Sequence, residues 1–216
     1  MSTSYHFKPI VTDGIILHFD ALNTKSYSGG TYSVTDLSGK NNTGIFANMT
    51  LTSDNSFVFD GVDDYIDVAT TYDLELVGGG GCISSWVKLY STLYSNIVYK
   101  ADNYTNGYFS WVAYDKVVAS VYPTAPSYYI LTTTQSIYPD IWYNITMNWD
   151  STSLEIYIND YVESLSPGPT VTASGNPLYV GSSTTGEISN VKIYNRKLSV
   201  AEVLQNYNAL KNRYTQ

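Results

Sequence analysis

The chain has 216 residues, 44% of them hydrophobic and only 14% charged, with 22 tyrosines, one cysteine and a formal net charge of -8. Its 11 Lys and Arg are scattered without a basic stripe, which argues against nucleic acid and anionic membrane surfaces as partners. A lone Cys82 excludes an internal disulfide and a cysteine-based zinc site, and no stretch approaches the roughly 20 apolar residues that span a bilayer.

The opening "MSTSYHFKPIVTDG" has neither a basic start nor an apolar run, so no secretory signal is expected and synthesis in a cytoplasm is. Residues 1–13 read as an N-terminal arm, either docking or disordered, and 14–216 as a single domain. Short runs rich in Val, Ile, Tyr, Thr and Trp then recur between clusters of Gly, Pro, Asn, Asp and Ser, the pattern of an all-β sandwich or barrel. Strands are predicted at 14–19, 57–59, 65–69, 82–90, 96–100, 107–114, 116–122 and 128–134, then at 142–150, 153–159, 178–182 and 187–195. In 154–159, Leu154, Ile156 and Ile158 alternate with Glu155, Tyr157 and Asn159, which puts the apolar three on one face. The alternation slips between Ile188 and Val191, predicting a bulge.

The glycine run 78–81 lacks the Lys-Ser/Thr of a phosphate loop and reads as a turn. One helix is predicted, over 199–212. Ser199 and Glu202 make a capping box, Leu198 staples to Val203, and Val203, Tyr207 and Leu210 form the packing face.

In "FVFDGVDDYIDV" (57–68), Asp60, Asp63 and Asp64 fall within five positions between two predicted strands. The spacing predicts a β-hairpin with residues 60–64 as its loop, Asp60-Gly61 being a strong turn pair. Three readings stay open: turn formation, part of a calcium site, or catalysis. Calcium wants six to eight oxygen ligands, of which three carboxylates supply only part.

The segments "DGIILHFDALNTKSY", "VTDLSGKNNTG", "FVFDGVDDYIDV", "ISSWVKL" and "GEISNVKIYNRKLSVAEVLQNYNALK", in that order, resemble the laminin-G-like domains of the concanavalin A-like lectin/glucanase superfamily. The resemblance runs from about Thr12 to Leu210 and implies a two-sheet antiparallel jelly-roll sandwich with one short C-terminal α-helix. It also implies a structural calcium site in members with an Asp in the segment matching 187–191. This chain has Ser189 and Asn190 there but keeps Asp20 on the first strand, so the calcium candidates are Asp20, Asp60, Asp63 and Asp64.

An enzyme is not expected. The glucanase branch carries Glu-x-Asp-x-x-Glu on one strand, and none of the five glutamates here (75, 155, 163, 187, 202) makes that pattern. His18, on a predicted strand, reads as a hydrogen-bonded structural residue, and there is no nucleophile-elbow motif or legume-lectin metal motif. Aromatic-rich loops offer a glycan-binding rim instead: Tyr99, Asp102, Asn103, Tyr104, Asn106 and Tyr108 in one, Tyr122 and Tyr128 in the other.

The polar arm, the absence of a signal and the opening "IVTDGIILHFDALN" are similar to stand-alone domains among structural proteins of tailed bacteriophages. That resemblance implies a non-catalytic virion surface protein: a capsid decoration or a tail- or fibre-associated module, made in the host cytoplasm. Its expected partners are the major capsid protein or a tail protein, host-surface glycans and further copies of itself. The alternative is a soluble or exported carbohydrate-binding lectin.

Overall fold

The protein is described by a computed structural model covering residues 8–30, 32–49, 56–102, 105–123 and 127–214. His6 and residues 1–7 of the arm lie outside these.

Two antiparallel sheets pack face to face, the arrangement that buries one side of every alternating strand. The seven-stranded sheet runs β1 (Ile15–Asp20), β15 (Thr185–Tyr194), β6 (Gly81–Leu89), β11 (Trp142–Trp149), β12 (Leu154–Ile158) and β13 (Tyr161–Leu165). Its seventh strand, β4 (Phe57–Asp60), shares the β1 edge of β15: β1 pairs with residues 190–194 of β15 and β4 with residues 185–188. The eight-stranded sheet runs β10 (Tyr129–Ser136), β9 (Lys116–Tyr122), β8 (Asn106–Ala113), β7 (Tyr94–Asp102), β14 (Leu178–Val180), β5 (Tyr65–Val68), β3 (Gly44–Ala47) and β2 (Ser33–Val34). All twelve predicted strands are present, and β15 carries the bulge as a register shift between Ile188 and Asn190. Three strands, β2, β3 and β13, and a one-turn helix α1 (Tyr72–Glu75) lie outside the twelve predicted ranges.

The predicted hairpin at 57–68 is corrected. Its two strands belong to different sheets, β4 pairing β15 and β5 pairing β3 and β14, so residues 60–64 form a corner between the sheets. A hairpin and an inter-sheet corner both need a tight polar turn between alternating runs, so the local pattern is the same.

The main core lies between the sheets and includes Phe19, Phe59, Val87, Ile145, Trp149 and Val191. Its packing is close between β3 and β5: a Cβ on Gly44 would lie 2.4 Å from Ile66 Cγ2. Helix α2 (Val200–Leu210) lies on the outer face of the seven-stranded sheet, where Val11, Cys82, Tyr157, Tyr194, Leu198 and Val203 make a second cluster. The capping box forms as the sequence implies, Ser199 Oγ accepting from Glu202 N–H and the Glu202 carboxylate from Ser199 N–H. A 3-10 turn, Lys211–Arg213, follows, and Trp86 stacks beneath Tyr207 and Tyr214. Part of the arm is pinned to this layer: Val11 N–H donates to Asn206 Oδ1 at 2.8 Å and Val11 C=O accepts from Tyr194 Oη–H at 2.9 Å.

Candidate functional site

With α2 on one outer face of the sandwich, the outer face of the eight-stranded sheet takes a different character. Strand alternation sends Ile66, Val68, Leu178, Val180, Val112 and Val121 into the core. The opposite parity carries rings: Tyr65 on β5, Tyr179 on β14, Tyr99 on β7, Phe109 and Trp111 on β8, and Tyr122 on β9. Tyr65 meets Tyr179 edge-on at 5.2 Å, and Tyr179 is in register with Tyr99. Tyr99 contacts Phe109 at 5.3 Å, and Phe109 stacks on Tyr122 at 5.7 Å with the planes 9° apart. Trp111 flanks the row, 5.8 Å from Phe109 and 5.5 Å from Tyr94.

Phe109 and Tyr122 form the buried floor, while Tyr65, Tyr99, Trp111 and Tyr179 are partly exposed and Tyr94 more so. Trp111 is tied to β9, its Nε1–H donating to Ser120 Oγ at 3.2 Å. At about 4.8 Å between strands, the row from β5 to β9 is roughly 19 Å long. Burial, then Asp67 and Tyr65, raise the Tyr179 phenol above its ordinary pKa, so it remains a neutral hydroxyl.

The structure separates the sequence-predicted rim residues. Tyr99 and Tyr122 join the row. Tyr108 does not: it faces the core with no exposure, its hydroxyl donating to Leu74 C=O at 2.7 Å and its ring packing on Trp149 at 5.4 Å. Asp102 and Asn106 pair at the end of the β7–β8 hairpin, and Tyr128 is exposed just before β10. Asn103 and Tyr104 lie outside the described residues. Sequence reasoning missed Tyr65, Trp111 and Tyr179; their signal was strand parity, which "GYFSWVAY" hides by carrying aromatics on both faces.

The acidic candidates also divide. Asp60, Asp63 and Asp64 come together at the inter-sheet corner, each offering an oxygen within 4.8 Å of the others, so the cluster could coordinate a metal ion. The turn already uses part of it: Asp60 N–H donates to Asp64 Oδ2 at 3.0 Å and Val62 N–H to Asp60 Oδ1 at 2.8 Å. Gly61 is required between them, at φ +84° with Thr185 Oγ1 only 2.1 Å from where a Cβ would sit. Asp20 is elsewhere and engaged. Arg213 Nη1 reaches both of its carboxylate oxygens, at 2.9 and 3.1 Å, so a guanidinium stands where the resemblance implied calcium.

The glutamates are equally committed. Glu75 pairs with buried Lys100 at 3.0 Å, Glu155 with Lys197 at 2.6 Å, Glu187 with Lys88 at 2.5 Å and Glu202 with Arg196 at 2.6 Å. Glu163 accepts from Thr134 and Gln135 backbone N–H groups. Burial alone would raise Glu155 and Glu187, but their lysine and hydroxyl partners lower both, leaving them as carboxylates rather than proton donors. His18 is held neutral, burial and Lys192 lowering its pKa to about 4.

Residues 60–204, more than half of the chain, match a family described as the concanavalin A-like lectin/glucanases superfamily. The chain belongs to that superfamily. A comparison with curated proteins gives no match. Among solved structures, the binding domain of Paraclostridial Mosquitocidal Protein 1 is similar at 16% identity and a TM-score of 0.75, over 93% of this chain and 53% of that one. The receptor-binding domain of a botulinum neurotoxin C/D mosaic is similar at 15% identity and a TM-score of 0.73, over 92% and 52%. The ligand-binding domain of botulinum neurotoxin serotype D, in complex with N-acetylneuraminic acid, is similar at 16% identity and a TM-score of 0.72, over 92% and 51%. The chain thus spans about half the length of these structures, and at such identities the likeness is one of fold.

These matches confirm the two-sheet jelly roll and its C-terminal helix. The superfamily description covers both lectins and glucanases, and the solved structures that share the fold are those of binding domains. They overturn the kinship with bacteriophage virion proteins, and with it the virion-surface location, the host-cytoplasm origin and the capsid or tail partners. The solved counterparts are toxin receptor-binding domains. The physical reason for the error is that buried alternation and turn glycines encode how a jelly roll packs, whatever work its surface does.

Proposed function

We propose that the chain is a non-catalytic carbohydrate-binding module that holds an oligosaccharide across the outer face of the eight-stranded sheet. The observation that carries this reading is the row Tyr65–Tyr179–Tyr99–Phe109, with Trp111 beside it. Sugar rings have one apolar C–H face and a hydroxyl rim. Partly exposed aromatic rings remove the first from water while their own polar tips, and neighbouring side chains, answer the second. The partly exposed rings, from Tyr65 on β5 to Trp111 on β8, span roughly 14 Å and accommodate more than one linked sugar ring. The toxin receptor-binding domains of this fold lend support, since one is in complex with N-acetylneuraminic acid.

The wild-type protein is expected to retain a subset of oligosaccharides on a glycan array. Trp111→Ala should weaken that binding by about thirtyfold, the effect of a hot-spot aromatic worth about 2 kcal/mol. An array with no bound glycan, or a Trp111→Ala protein that binds as the wild type does, would contradict the proposal.

A further inference from the structure

The polar groups of the same face carry a second message. Asp67 lies on β5 between Tyr179 of β14 and Ile45 of β3, on the ring-bearing side, and its Oδ1 has no hydrogen-bond partner. Asn96 lies on β7 directly opposite Trp111; it is only 9% exposed, and its Oδ1 also has no partner. Buried acceptors are nearly always satisfied in native proteins, so each such atom calls for a donor. Both flank the aromatic row, and Asp67 is partly exposed, with a carboxylate whose soft torsion can turn either oxygen outward.

Among the described residues of the five strands that carry the row, no cation pairs with either. Strands β5, β14, β7, β8 and β9 contain only two lysines. Lys100 points into the core toward Glu75, and Lys116, at the end of β9, donates to Thr134 C=O and Ser136 Oγ. The chain as a whole carries a formal net charge of -8.

From these observations, and resting on the carbohydrate reading above, we infer that the face selects neutral, hydroxyl-rich oligosaccharides and rejects acidic ones, with Asp67 as the specificity-determining residue. Neutral sugars supply O–H donors, the complement of a carboxylate and an amide oxygen. A sialylated or sulfated sugar brings an anion to a face whose one lysine, Lys116, lies at the end of β9 and is engaged by Thr134 and Ser136, and the cost falls on the acidic ligand alone. The N-acetylneuraminic acid complex noted above belongs to a domain about twice as long as this chain, so its ligand does not dictate the one here.

The test is isothermal titration at low salt with a neutral milk-type oligosaccharide, lacto-N-neotetraose, and its α2,6-sialylated form, preceded by an array of neutral glycans paired with their sialylated or sulfated counterparts. Neutral members should bind at least tenfold more tightly than their acidic partners. Asp67→Asn, which keeps the shape and should leave the Tm unchanged, should lose about tenfold in neutral-glycan affinity and narrow the gap. Acidic glycans bound as well as or better than neutral ones would overturn the specificity while leaving the carbohydrate reading intact. An array that retains no glycan of either kind would overturn both.

Discussion

His18 shows how far a single residue can be read. Its place in a strand beside Leu17 and Phe19 identifies it as structural from sequence alone. What sequence does not contain is the company it keeps: Asn190 Nδ2 lies 3.3 Å from its Nε2, and buried Lys192 sits on the neighbouring strand. Burial and Lys192 hold its pKa at about 4, below the ordinary 6.5, against the opposing pull of Asp20 and Asp36. The folded state thus prefers neutral His18, while the unfolded chain binds a proton between pH 6.5 and about 4. The stability this gives is complete above pH 6.5 and is lost as pH falls toward about 4. Denaturant unfolding across that window should show falling stability that His18→Gln largely flattens; identical profiles for the two proteins would contradict the assignment. Asp20 gives the complementary lesson. Its position on the first strand is legible, but the partner that fills its site, Arg213, is distant in sequence and follows a helix, so no local pattern could reveal it.

Among the elements, helix α2 was the most legible, because a capping box and a helical apolar stripe are local signals. The corner at 60–64 was the least so, because which sheet a strand joins depends on partners far along the chain. The 3-10 turn after α2 does work that its short length conceals. It carries Arg213 to the buried Asp20 carboxylate and places Tyr214 on Trp86 at 4.2 Å. Removing Arg213 takes the ion-pair partner from the buried Asp20 carboxylate, and because the guanidinium is itself partly exposed, Arg213→Ala should destabilise the fold by about 2 kcal/mol. Adding Asp20→Asn to Arg213→Ala should restore much of that loss. Chemical denaturation of both variants checks it, and additive losses in the double variant would show that the pair is not coupled.

For the whole molecule, the two outer faces divide the labour. One is closed by α2, the pinned segment around Val11 and the Trp86 stack. The other presents a row of rings edged by Asp67 and Asn96. The fold was legible because a sandwich announces itself through alternation and turns, and the superfamily match agrees. The candidate face was only half legible. Tyr99 and Tyr122 could be named, but Tyr65 and Tyr179 meet only when β14 inserts between β5 and β7, a fact of sheet order. Identity of fold with toxin receptor-binding domains says that such a sandwich is used for recognition elsewhere. On the function proposed above, the ligand is decided by the side chains of the ring-bearing face.

The most direct measurement is a two-dimensional NMR titration of the labelled protein with a neutral oligosaccharide taken from the array. The account predicts that the largest shifts fall on the Trp111 indole N–H and on the backbone of β5, β14, β7 and β8. Shifts confined to the α2 face or to the corner at 60–64, with Trp111 unmoved, would contradict it.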